Sequence, residues 1–290
     1  MPKHITREEK NKIIDFYKSK PMSIEFVAKH FKISNPSVIK ILNEYKIKRY
    51  SKVQLFSPEL VENYFENIDT EEKAYFLGLI ITDGCVHNTR GKQNLVSITL
   101  KEDDKYILDE FKKQIKSNKT ITFDGRGCCE LNILSNKMTI DLKKYGVIPN
   151  KSLRIVFPKN LPMHLYGHFI RGILDGDGSV SYYSRINQNR NSHTKAIRFC
   201  QGNKLFLQDI INHLNVVCNI DKINIYQEKE NLWSIAYRKN ESMMKLINYI
   251  YDNAHIYMKR KKILCDLIIE EIKRYGSTEI TIENKKSIAS

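Results

Sequence analysis

Apolar residues recur along this chain in short helical runs, then in helices and alternating segments that follow one order twice. Thr6-Arg7-Glu8-Glu9 has capping-box spacing and opens a helical pattern to about Ser19, which Pro21 ends. Ile24, Val27, Ala28 and Phe31 line one face of a second helix. Asn35-Pro36 predicts an N-cap followed by proline at the first position of a third. That third helix should bury Val38, Ile41 and Leu42 and turn Ser37, Lys40 and Asn43 outward. Two short helices joined by a tight turn match a helix-turn-helix, the last being the recognition helix. The turn holds no glycine, so a plain three-helix bundle fits the same pattern.

Two nine-residue segments downstream end apolar helices in Asp-Gly. Residues 76–84 read Phe-Leu-Gly-Leu-Ile-Ile-Thr-Asp-Gly, and residues 170–178 read Ile-Arg-Gly-Ile-Leu-Asp-Gly-Asp-Gly. Asp69-x-x-Glu72 is placed to cap the first helix and Pro162 to begin the second. Gly84 and Gly178 stand where a left-handed helix stop is expected. Gly78 with Thr82, and Gly172 with Gly176, give each helix a narrow face on which the two backbones can meet. Asp83 and Asp177 occupy the last turn, where the macrodipole disfavours a carboxylate. Paired helices would bring both acids and two sets of free carbonyls together, an arrangement that repels itself unless divalent cations bind.

The repeat continues past the motifs. Val86 answers to Val180, and Val96-Ser97-Ile98-Thr99 to Lys195-Ala196-Ile197-Arg198. The offset of 94 at the motifs becomes 99 at these strands, which gives the second hairpin five extra residues in its polar loop, Arg185 to His193. Helices near 103–115 and 202–214 follow, then strands ending at Ile133 and Ile235, then helices near 136–145 and 240–251. Each half reads αββαββα, so the fold class is α+β: a duplicated unit after a small all-α domain. The divisions expected are 1–52 for the helical domain, 53–70 for an acidic linker, 71–158 and 159–276 for the halves, and 277–290 for a polar tail. Pro149, Pro158 and Pro162 mark the joint between halves.

Charge sharpens this picture. The net charge is +15, suited to a polyanionic partner. Residues 1–52 hold 13 Lys and Arg against 5 Asp and Glu, over half of that excess. Lys46, Lys48, Arg49 and Lys52 form a basic strip able to follow a phosphate backbone. No apolar run approaches the ~18 residues of a membrane span, and Met1-Pro2-Lys3-His4 lacks a signal-peptide core. A cytoplasmic or otherwise intracellular protein is expected, not a secreted one. The six cysteines form no Cys-x-x-Cys pair and read as reduced thiols. His164 and His168 lack a third ligand and read as surface or interface residues.

The two motifs and the duplicated order resemble the single-chain LAGLIDADG homing endonucleases over roughly residues 70–275. Tyr145-Gly146-Val147-Ile148-Pro149-Asn150-Lys151-Ser152 and Tyr257-Met258-Lys259-Arg260-Lys261 resemble the family's surroundings too. The resemblance implies two pseudo-symmetric halves in a monomer, motif helices at their interface, and a four-stranded sheet from each half forming a saddle over double-stranded DNA. It implies Asp83 and Asp177 as ligands of Mg²⁺ (or Mn²⁺), and a basic residue near each scissile phosphate. Lys151 is the candidate for the first, Lys259 for the second, with Lys261 next in line. Ile81 departs from the motif, where its partner Asp175 is acidic, and Thr82 is bulkier than Gly176. On the sheets, Val96, Ile98, Leu100, Ile197 and Phe199 mark the apolar face. Ser97, Thr99, Lys101, Ser181, Tyr183, Arg185 and Arg198 mark a face able to read base edges.

The activity expected is metal-assisted hydrolysis of one phosphodiester on each DNA strand. A transcription regulator on the same fold and an intron RNA maturase are the alternatives. Both aspartates favour the enzyme, and the helix-turn-helix favours duplex DNA over folded RNA. An intein is not expected, since the chain opens on Met1 and closes on Ser287-Ile288-Ala289-Ser290 without a His-Asn junction.

Overall fold

A computed structural model describes residues 5–87, 94–149, 151–187 and 190–287. The side chains of 52, 53, 152, 184–187, 190–193 and 275–287 are not described. Met1–His4 and Ile288–Ser290 therefore lie outside the described residues, as does part of the Arg185–His193 loop.

The chain divides into two units, one of residues 1–61 with 112–119, the other of residues 62–111 with 120–290. In the first, α1 (Arg7–Ser19) starts at a complete capping box: Thr6 Oγ1 accepts the Glu9 N–H at 3.2 Å, and the Glu9 carboxylate accepts the Thr6 N–H at 2.8 Å. Ser23 caps α2 (Ile24–Phe31), and Ser34 caps α3 (Asn35–Glu44). The α3 cap is thus one residue earlier than Asn35-Pro36 suggested. Asn35 is already helical, and Pro36 sits in the first turn, where its missing N–H costs nothing. Between α2 and α3, Lys32 takes the left-handed turn conformation (φ 54°) that no glycine is there to supply. Ile13, Ile14, Tyr17, Val27, Val38, Ile41 and Leu42 close a small core. Tyr17 Oη accepts the Tyr50 N–H at 2.9 Å and holds the basic strip against it. A short α4 (Lys52–Phe56) follows.

The stretch 53–70, expected as an acidic linker, falls across the boundary of the two units, and in the second unit Tyr64, Phe65 and Ile68 are buried. The first half runs α5 (Glu71–Asp83), β1 (Gly84–His87), β2 (Leu95–Lys101), α6 (Lys105–Gln114), β3 (Thr122–Phe123), β4 (Cys128–Leu134) and α7 (Asn136–Lys144). The second runs α8 (Tyr166–Asp175), β5 (Ser179–Asn187), β6 (Arg190–Gln201), α9 (Lys204–Cys218), β7 (Tyr226–Lys229), β8 (Leu232–Tyr237) and α10 (Asn240–Tyr251), and α11 (Lys259–Ser287) closes it. Each half is αββαββα. Its antiparallel sheet has the order β1-β2-β4-β3 or β5-β6-β8-β7.

Register corrects the internal alignment. Val86 faces Val96 while Val180 faces Ile197, so the strand offset is 101 and the second hairpin is longer by seven residues, not five. The sequence match at 195–198 was two residues out, a shift that keeps alternation and so leaves no trace in polarity. Val96, Ile98, Leu100, Leu131 and Ile133 bury one side of the first sheet, and Val180, Ile197, Phe199 and Ile235 one side of the second. α11 packs on β5 and joins β6 through an ion pair of Glu271 with Lys195 at 2.8 Å. No proline interrupts this helix, which runs into the segment set apart as a polar tail at 277–290. All six cysteines are free, and no described helix is long and apolar enough to cross a membrane.

Candidate active site

α5 and α8 pack side by side, and at Gly78 and Gly172 the two backbones meet without a side chain between them. A Cβ on Gly78 would overlap the Phe169 carbonyl and stand 3.1 Å from Gly172 Cα; a Cβ on Gly172 would overlap the Tyr75 carbonyl. One turn on, the Thr82 side chain fills the space a Gly176 Cβ would need. Its Oγ1 donates to the Leu79 carbonyl at 2.9 Å, which settles a polar group at the interface. Thr82 and Gly176 are therefore complementary in size.

Two local expectations change. Thr70 caps α5, its hydroxyl accepting the Lys73 N–H, while Asp69 pairs with the Lys73 ammonium at 2.7 Å. Gly84 and Gly178 are not left-handed: Gly84 has an extended φ of −92°. What excludes a side chain there is the preceding turn, since a Cβ would come within 2.7 Å of the Ile80 carbonyl or 2.6 Å of the Leu174 carbonyl.

The paired helix ends bring Asp83 and Asp177 into one electrostatic site. Burial, and then the Asp177 charge, push the Asp83 carboxyl from 3.8 up to about 6. Burial also raises Asp177, opposed by Lys151, by Gln201 (Nε2 to Oδ2 3.4 Å) and by Lys261. Two hard carboxylates in one site, Asp83 half-buried and Asp177 exposed, fit a divalent cation completed by water or phosphate oxygens. Among the described residues no cluster of three or more His, Cys, Asp or Glu side chains forms.

Each motif end also holds one lysine. Lys151 lies in a short 3₁₀ turn, and its Nζ donates to the Gly84 carbonyl at 2.5 Å and the Thr82 carbonyl at 3.2 Å. Lys261 Nζ donates to the Gly178 carbonyl at 2.7 Å and the Gly176 carbonyl at 3.3 Å, and to Leu174 and Asp175 at 2.6 Å. Gly176 and Gly178 stand 94 residues after Thr82 and Gly84, the acceptors of Lys151, so Lys261 is the symmetric partner. Lys259, the leading candidate from sequence, instead lies 4.8 Å over the Tyr106 ring. Its place two residues earlier on α11 turns it away. Burial lowers both inner lysines, Lys261 to about 8.

Residues 70–127 match the family model described as a LAGLIDADG-like domain. No curated protein matches the chain. Among solved structures, the LAGLIDADG meganuclease I-AabMI bound to uncleaved DNA is similar at TM-score 0.51 and 16% identity, over 70% of this chain and 91% of that one. The meganuclease I-SmaMI on uncleavable DNA gives 0.51 and 12%, over 77% and 96%. I-SmaMI bound to uncleaved target with calcium gives 0.51 and 13%, over 72% and 93%. This chain has the duplicated LAGLIDADG fold.

Within the LAGLIDADG helix pair, Asp175 is fully buried and accepts from Tyr75 Oη at 2.9 Å and the Met258 N–H at 2.8 Å. Burial lifts it to about 6. Gln201 is a site residue the sequence reading passed over. Its signal was a polar residue continuing the apolar alternation of Ile197 and Phe199, at the position where the first half has buried Leu100.

The candidate contact residues separate. Thr99, Lys101 and Tyr183 are exposed, Ser181 and Arg198 half-buried. Arg198 lies 3.5 Å from Glu228. Ser97 is only 5% exposed, its Oγ 3.3 Å from His87 Nε2, so it faces a neighbour more than solvent. The Arg185 side chain lies outside the described residues. In the first unit Lys40, Asn43 and Arg49 are exposed, whereas Ser37 is half-buried, its hydroxyl 2.8 Å from that of Ser34 in the α3 cap. His168 accepts from the Arg171 guanidinium at 2.8 Å and is a packing residue.

Proposed function

We propose that the protein is a site-specific, metal-dependent endonuclease that cuts both strands of duplex DNA and acts as a monomer. The observation that carries the reading is the duplicated end of the helix pair: two acids in one electrostatic site, each end with its own lysine on equivalent carbonyls. The similar I-AabMI and I-SmaMI structures were solved on DNA, one with calcium. Mg²⁺ or Mn²⁺ held by Asp83 and Asp177 would activate water and stabilise the leaving oxygen. Lys151 and Lys261 keep positive charge beside the motif ends and offset charge developing on a phosphate. In this reading the attacking oxygen comes from solvent, the Thr82 hydroxyl being engaged by the Leu79 carbonyl. Thr99, Lys101, Ser181, Tyr183 and Arg198 present polar groups to base edges and phosphates. α3 and the basic strip of the first unit act as a helix-turn-helix that lengthens the footprint.

Selection for cleavage on a randomised duplex library with Mg²⁺ identifies the target. On it, Asp83→Asn and Asp177→Asn should each abolish double-strand cutting while target affinity stays within a few-fold, because the change removes charge from the chemistry and not from the contact face. Robust cutting by either variant in Mg²⁺ would overturn the assignment.

A further inference from the structure

Under the 94-residue repeat, Glu71, Tyr75, Arg171 and Asp175 correspond to Leu165, Phe169, Leu77 and Ile81. One side of the helix pair is therefore polar where the other is apolar. The apolar four are all buried. The polar four are linked: Arg171 pairs with Glu71 at 2.7 Å and lies 5.4 Å over the Tyr75 ring, and Tyr75 Oη donates to Asp175 at 2.9 Å. Buried charges are costly, and the apolar side shows that packing of the helices does not require them.

All but Tyr75 also hold the strap that leads from α10 into α11. Arg171 donates to the Ile250 carbonyl at 2.5 Å and the Ile256 carbonyl at 2.9 Å. Glu71 Oε1 accepts the His255 and Ile256 N–H groups at 2.7 and 3.3 Å, and Oε2 pairs with His255 Nδ1 at 2.7 Å. Asp175 accepts the Met258 N–H, three residues before Lys261. We propose that this polar quartet, with Asp175 at its inner end, is a clamp of positioning residues that seats Lys261 on the second motif end. At the first motif end, Lys151 is seated on the Thr82 and Gly84 carbonyls, and the quartet's counterparts there are apolar. The two cleavage sites are then unequal, and only one depends on the clamp; that consequence rests on the endonuclease reading.

Tyr75→Phe with Asp175→Ile tests this, because it copies onto the polar side the Phe169–Ile81 pair that the fold already accommodates. Reductive methylation of the intact protein, read by peptide mass spectrometry, follows each lysine without DNA. In the double variant Lys261 should react about tenfold faster and Lys151 at the parent rate, since freeing the strap releases one ammonium only. Tyr75→Phe alone, which deletes one hydroxyl, should move Lys261 in the same direction should the pair fold poorly. Asp175→Asn keeps an acceptor for Met258 and should restore protection. On the selected duplex the double variant should accumulate nicked product, with about tenfold slower cutting of the strand that Lys261→Met also fails to cut. Protection of Lys261 equal to the parent's in the double variant and in Tyr75→Phe, or equal exposure of Lys151, would overturn the clamp. So would equal slowing of both strands. A parent that cuts no duplex defeats the endonuclease reading instead, and the methylation rates then decide the clamp by themselves.

Discussion

A single carboxyl shows how function loads the fold. Asp83 is held at about 6 by burial and by Asp177, against an ordinary 3.8. Because its folded value is the higher, the folded state binds more protons between about pH 4 and 6, and stability falls as pH rises through that window. Above about pH 6 the whole penalty is present. Asp83→Asn should therefore raise the Tm of metal-free protein at pH 7.5, and the gain should fade near pH 4, where parent and variant are both neutral. Melting curves in a chelator check the sign. A Tm at pH 7.5 equal to or below the parent's would contradict the burial and repulsion assigned to the pair. Mg²⁺ should in turn raise the parent Tm and lose that effect in Asp83→Asn.

For the elements, the decisive feature is how closely α5 and α8 approach. Gly172 faces the Tyr75 carbonyl with no space for a Cβ, and backbone cannot be moved as a flexible side chain can. Gly172→Leu should lower stability by ~1–3 kcal/mol and separate the two aspartates, although leucine has the better helix propensity. Thermal unfolding without metal distinguishes the cases. A variant melting at or above the parent and still cutting would show that the glycine face is not the contact. The same helices explain why Lys261 outranks Lys259. α11 rotates about 100° per residue, so Lys259 and Lys261, two residues apart, point to nearly opposite sides. One is drawn onto carbonyls and the other onto an aromatic ring.

Across the whole molecule, basic charge is concentrated in residues 1–52, with 13 cations against 5 anions. Lys40, Asn43 and Arg49 are exposed there. If α3 and its basic strip touch DNA, replacing all three by alanine in the full chain should weaken target binding. It should also flatten the slope of log affinity against log salt by about 2, near 0.9 for each of the two cations lost. Affinities measured across a salt series read both numbers. An unchanged slope would remove the first unit from the DNA interface and leave recognition to the two sheets.

The sequence alone determined what rests on period and repetition. Helix and strand order in both halves, the αββαββα duplication, the glycine faces and the two terminal acids followed from spacing, because periods of 2 and 3.6 and an Asp-Gly ending are local properties. Tertiary structure decided what depends on which atoms meet. The strand offset of 101 differs from the expected 99 by a full alternation period, so polarity could not distinguish them. Gly84 and Gly178 are required by crowding against the previous turn rather than by a left-handed φ, a difference of backbone path that composition does not encode. Ser97 is expected outward from strand alternation and Ser37 from helical spacing, yet Ser97 is covered beside His87 and Ser37 is half-buried beside Ser34. Gln201, Asp175 and the Arg171–Glu71 pair acquire their roles only when segments up to 185 residues apart come into contact. Such meetings are set by the packing of two helices and a strap, which no single stretch of chain specifies.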